Sequence, residues 1–201
     1  MLMARRRKVA VMGAHGCGKT SLVERIGFDF FGDYLPVMLV NEVARDCPFP
    51  LNEGMTVESQ GWMLYAQMAA EECVPHGVLA ICDRTVLDPI VYAMWAKSKS
   101  DWGDGCRFDS FINARIPVML EWFGSYDLVY WARPSENMRV RSEMLSDDGF
   151  RSVDLGFQGE VDQIFEDVIK RYMLDVIPAG DYNFKQIQEV FSCETKDMVM
   201  R

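Results

Sequence analysis

The chain is poor in the residues that hold transition metals. Its 201 residues include two histidines, His15 and His76, too few for a histidine-based metal site. The six cysteines, at 17, 47, 73, 82, 106 and 193, form no C-x-x-C pair, which excludes a zinc ribbon or a dithiol redox motif. Several lie in apolar runs, Cys73 and Cys82 among them, and read as reduced thiols of a cytoplasmic protein rather than a disulfide frame. Basic residues are outnumbered: 21 Lys and Arg against 30 Asp and Glu leave a net charge of −9. That balance argues against general nucleic-acid binding, which needs a basic footprint. Arg5-Arg6-Arg7-Lys8 is the exception. A nucleic-acid or membrane tag would have such a cluster, but it abuts the first strand directly and reads as a solvated lead into it. No apolar run approaches ~20 residues, so a membrane partner is not expected. The apolar stretch behind the basic start ends at Gly13, too early for the core of a signal peptide. There is no internal repeat and no low-complexity linker. The 49 % hydrophobic content suits one α/β domain over residues 1–201.

Residues 13–20 read Gly-Ala-His-Gly-Cys-Gly-Lys-Thr, matching the phosphate-binding pattern G-x-x-x-x-G-K-[ST]. Glycines let the backbone fold tightly, so successive N–H groups point at one anion. Gly13, Ala14, His15, Gly16, Cys17, Gly18, Lys19, Thr20 and the following Ser21 are therefore the expected nucleotide-binding residues. Lys19 would reach the β- and γ-phosphates, and the Thr20 hydroxyl would ligate Mg²⁺. The context agrees. Val9-Ala10-Val11-Met12 is an apolar run suited to a buried parallel strand. After the loop, Leu22, Val23 and Ile26 fall on one helical face. The helix N-terminus could lower the pKa of Cys17, although a filler role reads better.

Coarsely, strand and helix alternate. Strands are expected at about 7–12, 35–40, 78–82 and 128–132, and helices at about 19–30, 56–73, 89–97, 109–123, 135–145 and 160–176. Pro117 is expected to kink or split its helix. Residues 98–107 are polar and glycine-rich and read as a mobile loop, as do 146–158, taken as a lid. Residues 180–201 form a weak ending. Alternating elements with apolar strands predict an α/β fold of three layers, α/β/α, with a mostly parallel sheet and a helical lid. Right-handed crossovers bring all strand C-termini to one edge, where ligands bind.

At that edge Glu42, Asp83 and Arg133 each follow an apolar strand. Asp83, next to the phosphate loop, could hold Mg²⁺ through water or accept a proton from an attacking hydroxyl. Arg84 could neutralise phosphate. The order Gly13–Thr20, Asn41-Glu42-Val43-Ala44-Arg45, Asp83-Arg84-x-x-x-Asp88 and Asp148-Gly149-Phe150-Arg151 resembles the P-loop kinase superfamily. It is similar in particular to nicotinamide riboside kinase domains and, more loosely, to thymidylate and deoxynucleoside kinases. The looser likeness rests on Asp83-Arg84 and on Tyr126-Asp127-Leu128-Val129-Tyr130 leading to Arg133-Pro134.

The resemblance implies that Glu42 and Arg45 face the acceptor and that Asp83 is the base or the Mg²⁺ organiser. It also implies that Arg84 touches acceptor or phosphate, and that Arg139, Arg141 and Arg151 serve the lid. Arg139 and Arg141 sit two apart and cannot share a helix face. Gln60 and Gln67, seven apart, line the acceptor pocket or face solvent. Trp62, Tyr65, Tyr92, Trp95 and Trp102 read as core and loop packing, with Tyr92 or Trp95 as alternatives for base stacking. The implied activity is ATP-dependent phosphoryl transfer to a nucleoside, nucleotide or related metabolite, with ATP and Mg²⁺ as cofactors; a homodimer is compatible with it. The rival is a nucleotide-dependent regulatory ATPase acting on a protein partner. No guanine-reading Asn/Thr-Lys-x-Asp motif is present, and Arg84 occupies the place where a water-activating Glu would follow Asp83.

Overall fold

The computed structural model describes residues 6–30, 36–134 and 154–188. Its centre is β1 (Arg7–Met12), whose Val9, Ala10, Val11 and Met12 are fully buried. A strand apolar on both faces belongs in the middle of a parallel sheet covered on each side, and β1 lies there. The other strands are β2 (Val37–Val40), β3 (Leu79–Asp83), β4 (Leu128–Trp131) and β5 (Ile177–Pro178). They stand in the order β2-β3-β1-β4-β5, and every neighbouring pair is parallel. Among the described residues, five helices cover the sheet in a three-layer α/β/α arrangement: α1 (Lys19–Asp29), α2 (Val57–Glu72), α3 (Leu87–Lys99), α4 (Trp102–Phe123) and α5 (Leu155–Tyr172). Val11 lies opposite both Asp83 and Tyr130. The C-terminal ends of the three central strands are therefore level, and the loops after them meet.

Local chemistry sets the helix ends. Thr56 caps α2 by accepting from Ser59 N–H, while the Ser59 hydroxyl accepts from Thr56 N–H, a reciprocal capping box that satisfies donors no helix can pair internally. Asp154 caps α5 by accepting from Gly156 and Phe157.

Five expectations need correction. Residues 98–107 are not a loop: α3 reaches Lys99 and α4 begins at Trp102. Asp101 caps α4 by accepting from Asp104 N–H. Gly103 and Gly105 lie in the first turn, where the packing of Phe108, Phe111 and Ile112 outweighs their weak helix propensity. Pro117 does not split α4, which runs through it. Pro117 faces solvent, and buried Ile112 and Met119 on either side hold the helix down. The proposed lid ends sooner than 158, because α5 starts at Leu155. The helix expected to reach about 176 ends at Tyr172, and Ile177–Pro178 adds an unexpected edge strand beside β4. Lys8, finally, is 3 % exposed rather than solvated and is paired with Glu71 at 3.0 Å. The helix expected at 135–145, most of the lid, and Arg139, Arg141 and Arg151 lie outside the described residues.

Candidate active site

The loop from Gly13 to Gly18 joins β1 to α1 and needs its glycines. Gly13 has φ +137°, and a Cβ there would stand 2.1 Å from the Ala132 carbonyl oxygen, so no other residue fits. Gly18 precedes α1 at φ +77°, a left-handed turn that glycine adopts freely. Lys19 is buried, and its Nζ donates to the Ala14 carbonyl at 2.6 Å. Burial, followed by the charge of Arg84, lowers its pKa. Cys17 is also buried, which pushes its thiol up to about 11. It is no reactive thiolate, in keeping with the filler reading.

Thr20 and Asp83 meet. The Thr20 hydroxyl donates to Asp83 Oδ2 at 2.6 Å, while Asp83 Oδ1 is buried without a hydrogen-bond partner. A hydroxyl and a carboxylate with an unused oxygen suit a hard cation that keeps waters and phosphate oxygens in its shell. The residues thus fit Mg²⁺. Among the described residues no cluster of three or more His, Cys, Asp or Glu could hold a metal by itself.

Arg84 follows β3 with φ +95°, a strained backbone for a residue with a Cβ. The turn is tied down from several sides. Arg84 N–H donates to the Val11 carbonyl at 3.0 Å, and the Arg84 carbonyl accepts from Gln67 Nε2 at 3.3 Å. The guanidinium pairs with Glu42 and with Asp88 Oδ1 at 3.3 Å. Asp88 Oδ2 in turn accepts from the Thr85 N–H and hydroxyl at 2.9 and 2.8 Å. Burial raises the Asp88 pKa, so the carboxylate depends on these donors.

Tyr92 joins this cluster to the phosphate loop. Its hydroxyl accepts from His15 N–H at 2.9 Å and lies 3.2 Å from His15 Nδ1. The His15 ring packs against Phe157 with centroids 4.6 Å apart, and Gln158 Nε2 donates to the His15 carbonyl at 2.6 Å. His15 N–H is thus committed to a side chain, unlike the free N–H groups expected along the loop. Burial, then Lys19 and Arg84, lowers the His15 pKa to about 4. An unfolded His titrates near 6.5, so the unfolded chain binds the extra proton first as pH falls. Stability is full above pH 6.5 and drops by about 3 kcal/mol as pH approaches 4. Urea unfolding at pH 7 and pH 4.5 is expected to show this loss, and His15→Phe should remove most of it.

A cavity of about 420 Å³ joins the phosphate loop to the Arg84 cluster, with Asp83 just outside its lining, a size typical of small-ligand sites. Its lining runs from the phosphate loop (residues 15–21) past Glu42 and Arg45 to Gln60, Gln67, Arg84 and Tyr92. Gln60 and Gln67 are each 1 % exposed, so the solvated alternative is wrong for both. Tyr92 is in the wall, whereas Trp95 packs on Phe157 at 4.2 Å and Trp102 is exposed. Arg133 is not gathered in: it turns to Asp162 and Glu166 of α5, at 2.9 and 2.8 Å.

Sequence reasoning missed Met55 and Met63, which line the cavity, and Glu71 beneath it. The available signal was a stripe: residues 60, 64, 67 and 71 recur at helical spacing, and three of them are polar. A buried helix face that is mostly polar has a purpose other than core packing.

No family model matches the sequence, and no curated protein matches it. Among solved structures, deoxyadenosine kinase from M. mycoides with products dCMP and a flexible dCDP bound superposes with TM-score 0.62 at 18 % identity, over 95 % of this chain and 99 % of that one. The NadR protein in complex with NR gives 0.57 at 17 % identity, over 86 % of this chain but 45 % of NadR. NadR with NAD and AMP-PNP gives 0.58. At these identities the likeness concerns the fold alone.

Proposed function

We propose that the chain is a kinase that transfers the γ-phosphoryl group of ATP to a hydroxyl of a nucleoside-like acceptor. The observation supporting this most directly is that the phosphate loop shares its cavity with a pocket lined by both polar and apolar side chains, Gln60, Gln67 and Arg84 beside Met55 and Met63. A regulatory ATPase needs room for a triphosphate and a water. This cavity adds Glu42, Arg45, Gln60, Gln67 and Arg84 around further space, which suits a second organic substrate.

The residues divide the work. The phosphate-loop amides and Lys19 hold the β- and γ-phosphates. Thr20 and Asp83 would hold Mg²⁺, which when bound offsets charge on the transferring group. Asp83 already receives the Thr20 hydroxyl, so of its two sequence roles the organiser is preferred over the base. Both Asp88 oxygens are taken by Thr85 and Arg84. Glu42, in the cavity wall and paired with Arg84, is assigned to face the acceptor, where a carboxylate can accept the hydroxyl proton. Arg84, held by Glu42 and Asp88, faces the phosphoryl path, and Arg45 contacts the acceptor.

The test is ADP release from Mg-ATP across nucleosides, nucleoside monophosphates and nicotinamide riboside. One acceptor class should raise the rate by about tenfold or more. A slow rate, indifferent to acceptor and lost with Lys19→Ala, would instead establish an ATPase.

A further inference from the structure

Beneath the acceptor pocket lies a buried ion that phosphoryl transfer does not require. Glu71 is fully buried, and four donors converge on its carboxylate. Oε2 accepts from Lys8 Nζ at 3.0 Å and from Trp122 Nε1 at 2.8 Å. Oε1 accepts from the Tyr126 hydroxyl at 2.7 Å and from Gln67 Nε2 at 3.0 Å. Lys8 also lies 4.4 Å over the Trp122 ring.

A carboxylate accepts only, and so does a backbone carbonyl. Gln67 faces one of each: Glu71 Oε1 and the Arg84 carbonyl, at 3.0 and 3.3 Å. The reversed amide would set its oxygen against both, two repulsive contacts in a buried place. The partners therefore determine the orientation, and the NH₂ group must face inward. Gln67 lines the cavity, and its Oε1 is buried and without a partner. An unpaired buried acceptor is unfavourable until a ligand donor meets it. Two turns further out, Gln60 repeats the pattern more weakly. Its Nε2 is 3.3 Å from the Ser59 hydroxyl, whose own hydrogen goes to the Thr56 carbonyl, and its Oε1 is likewise unpartnered.

We propose that Glu71 is a positioning residue for specificity: it locks the Gln67 amide so that the pocket presents an acceptor, selecting planar heterocycles that place an exocyclic amino group against it over analogues with a carbonyl at that position. The inference rests on the kinase reading above.

The test uses acceptors differing at one group, adenosine against inosine and cytidine against uridine, in ribo and deoxy forms. With the wild type, kcat/KM should favour the amino member of the accepted pair by roughly tenfold or more. Glu71→Gln supplies a side chain that can donate or accept, which leaves only the longer contact to the Arg84 carbonyl to hold the Gln67 amide. The preference should then fall to within about threefold, a change that general loosening of the fold does not produce. Should that variant fail to fold, Gln67→Leu removes the acceptor itself and leaves the ion intact; it should erase the preference in the same way. Wild-type protein that phosphorylates both members equally, or Gln67→Leu protein that keeps the bias, overturns this inference and leaves the kinase standing. Failure to phosphorylate any acceptor overturns the kinase reading and this inference with it.

Discussion

Lys19→Ala protein should release no ADP above background with any acceptor, a loss of at least about a thousandfold in kcat. The size follows from the setting. Lys19 is buried, with the Ala14 carbonyl 2.6 Å from its ammonium, so its desolvation is already complete when the nucleotide arrives. A charge so placed acts on a phosphate oxygen through a low dielectric, where the attraction is strong. Methylene packing cannot replace it. The fold should tolerate the change, because a buried ammonium with a carbonyl partner adds little net stability. The thermal midpoint of the nucleotide-free variant is therefore expected within about 4 °C of wild type. A variant that turns over acceptor at even a tenth of the normal rate would remove Lys19 from the transition state.

Asp83→Asn should separate chemistry from binding. Its amide oxygen can still receive the Thr20 hydroxyl, as Asp83 Oδ2 does at 2.6 Å, so the loop keeps its shape. The negative charge is gone, and with it the oxygen pair suited to Mg²⁺. We expect kcat to fall by about 100-fold or more, while nucleotide affinity measured by calorimetry weakens by less than about tenfold, since most of that affinity comes from the loop amides and Lys19. Raising the Mg²⁺ concentration should recover part of the rate. Near-normal kcat would dismiss Asp83 from the mechanism.

What the sequence revealed and what it hid have physical causes. The phosphate loop was legible because backbone geometry demands particular residues at particular spacings, and Gly13, pressed against Ala132, shows why. Asp83 and Arg84 were legible because a charged pair ending a buried strand in a parallel sheet has only the ligand edge to occupy. The acceptor pocket was less so. Gln60 and Gln67 carry no charge and could as easily face water; only the packing of α2 against α3 and α4 places them inside. Glu71 was hidden for the same reason, and Lys8 was misread because a basic run at a strand start is usually solvated. Its neighbour Arg6 does lie near the surface, paired with Glu72, so the cluster divides at a single residue. The 98–107 segment misled because local composition favours a loop, while Asp101 and the apolar positions beyond it favour α4.

The strand order sets a timetable for synthesis. β1 leaves the ribosome first, yet its two neighbours are β3 and β4, with Val9 opposite Ile81 on one side and Leu128 on the other. Gly13 must also seat against Ala132. The phosphate loop is thus translated early and completed late, after a wait of order ten seconds at ordinary elongation rates. During that interval nucleotide cannot stabilise the nascent chain, and the apolar Val9–Met12 segment has β3 on one side at most, its other edge unpaired until β4. A chaperone that shields this stretch until β4 emerges would protect the chain when it is most exposed to misassociation.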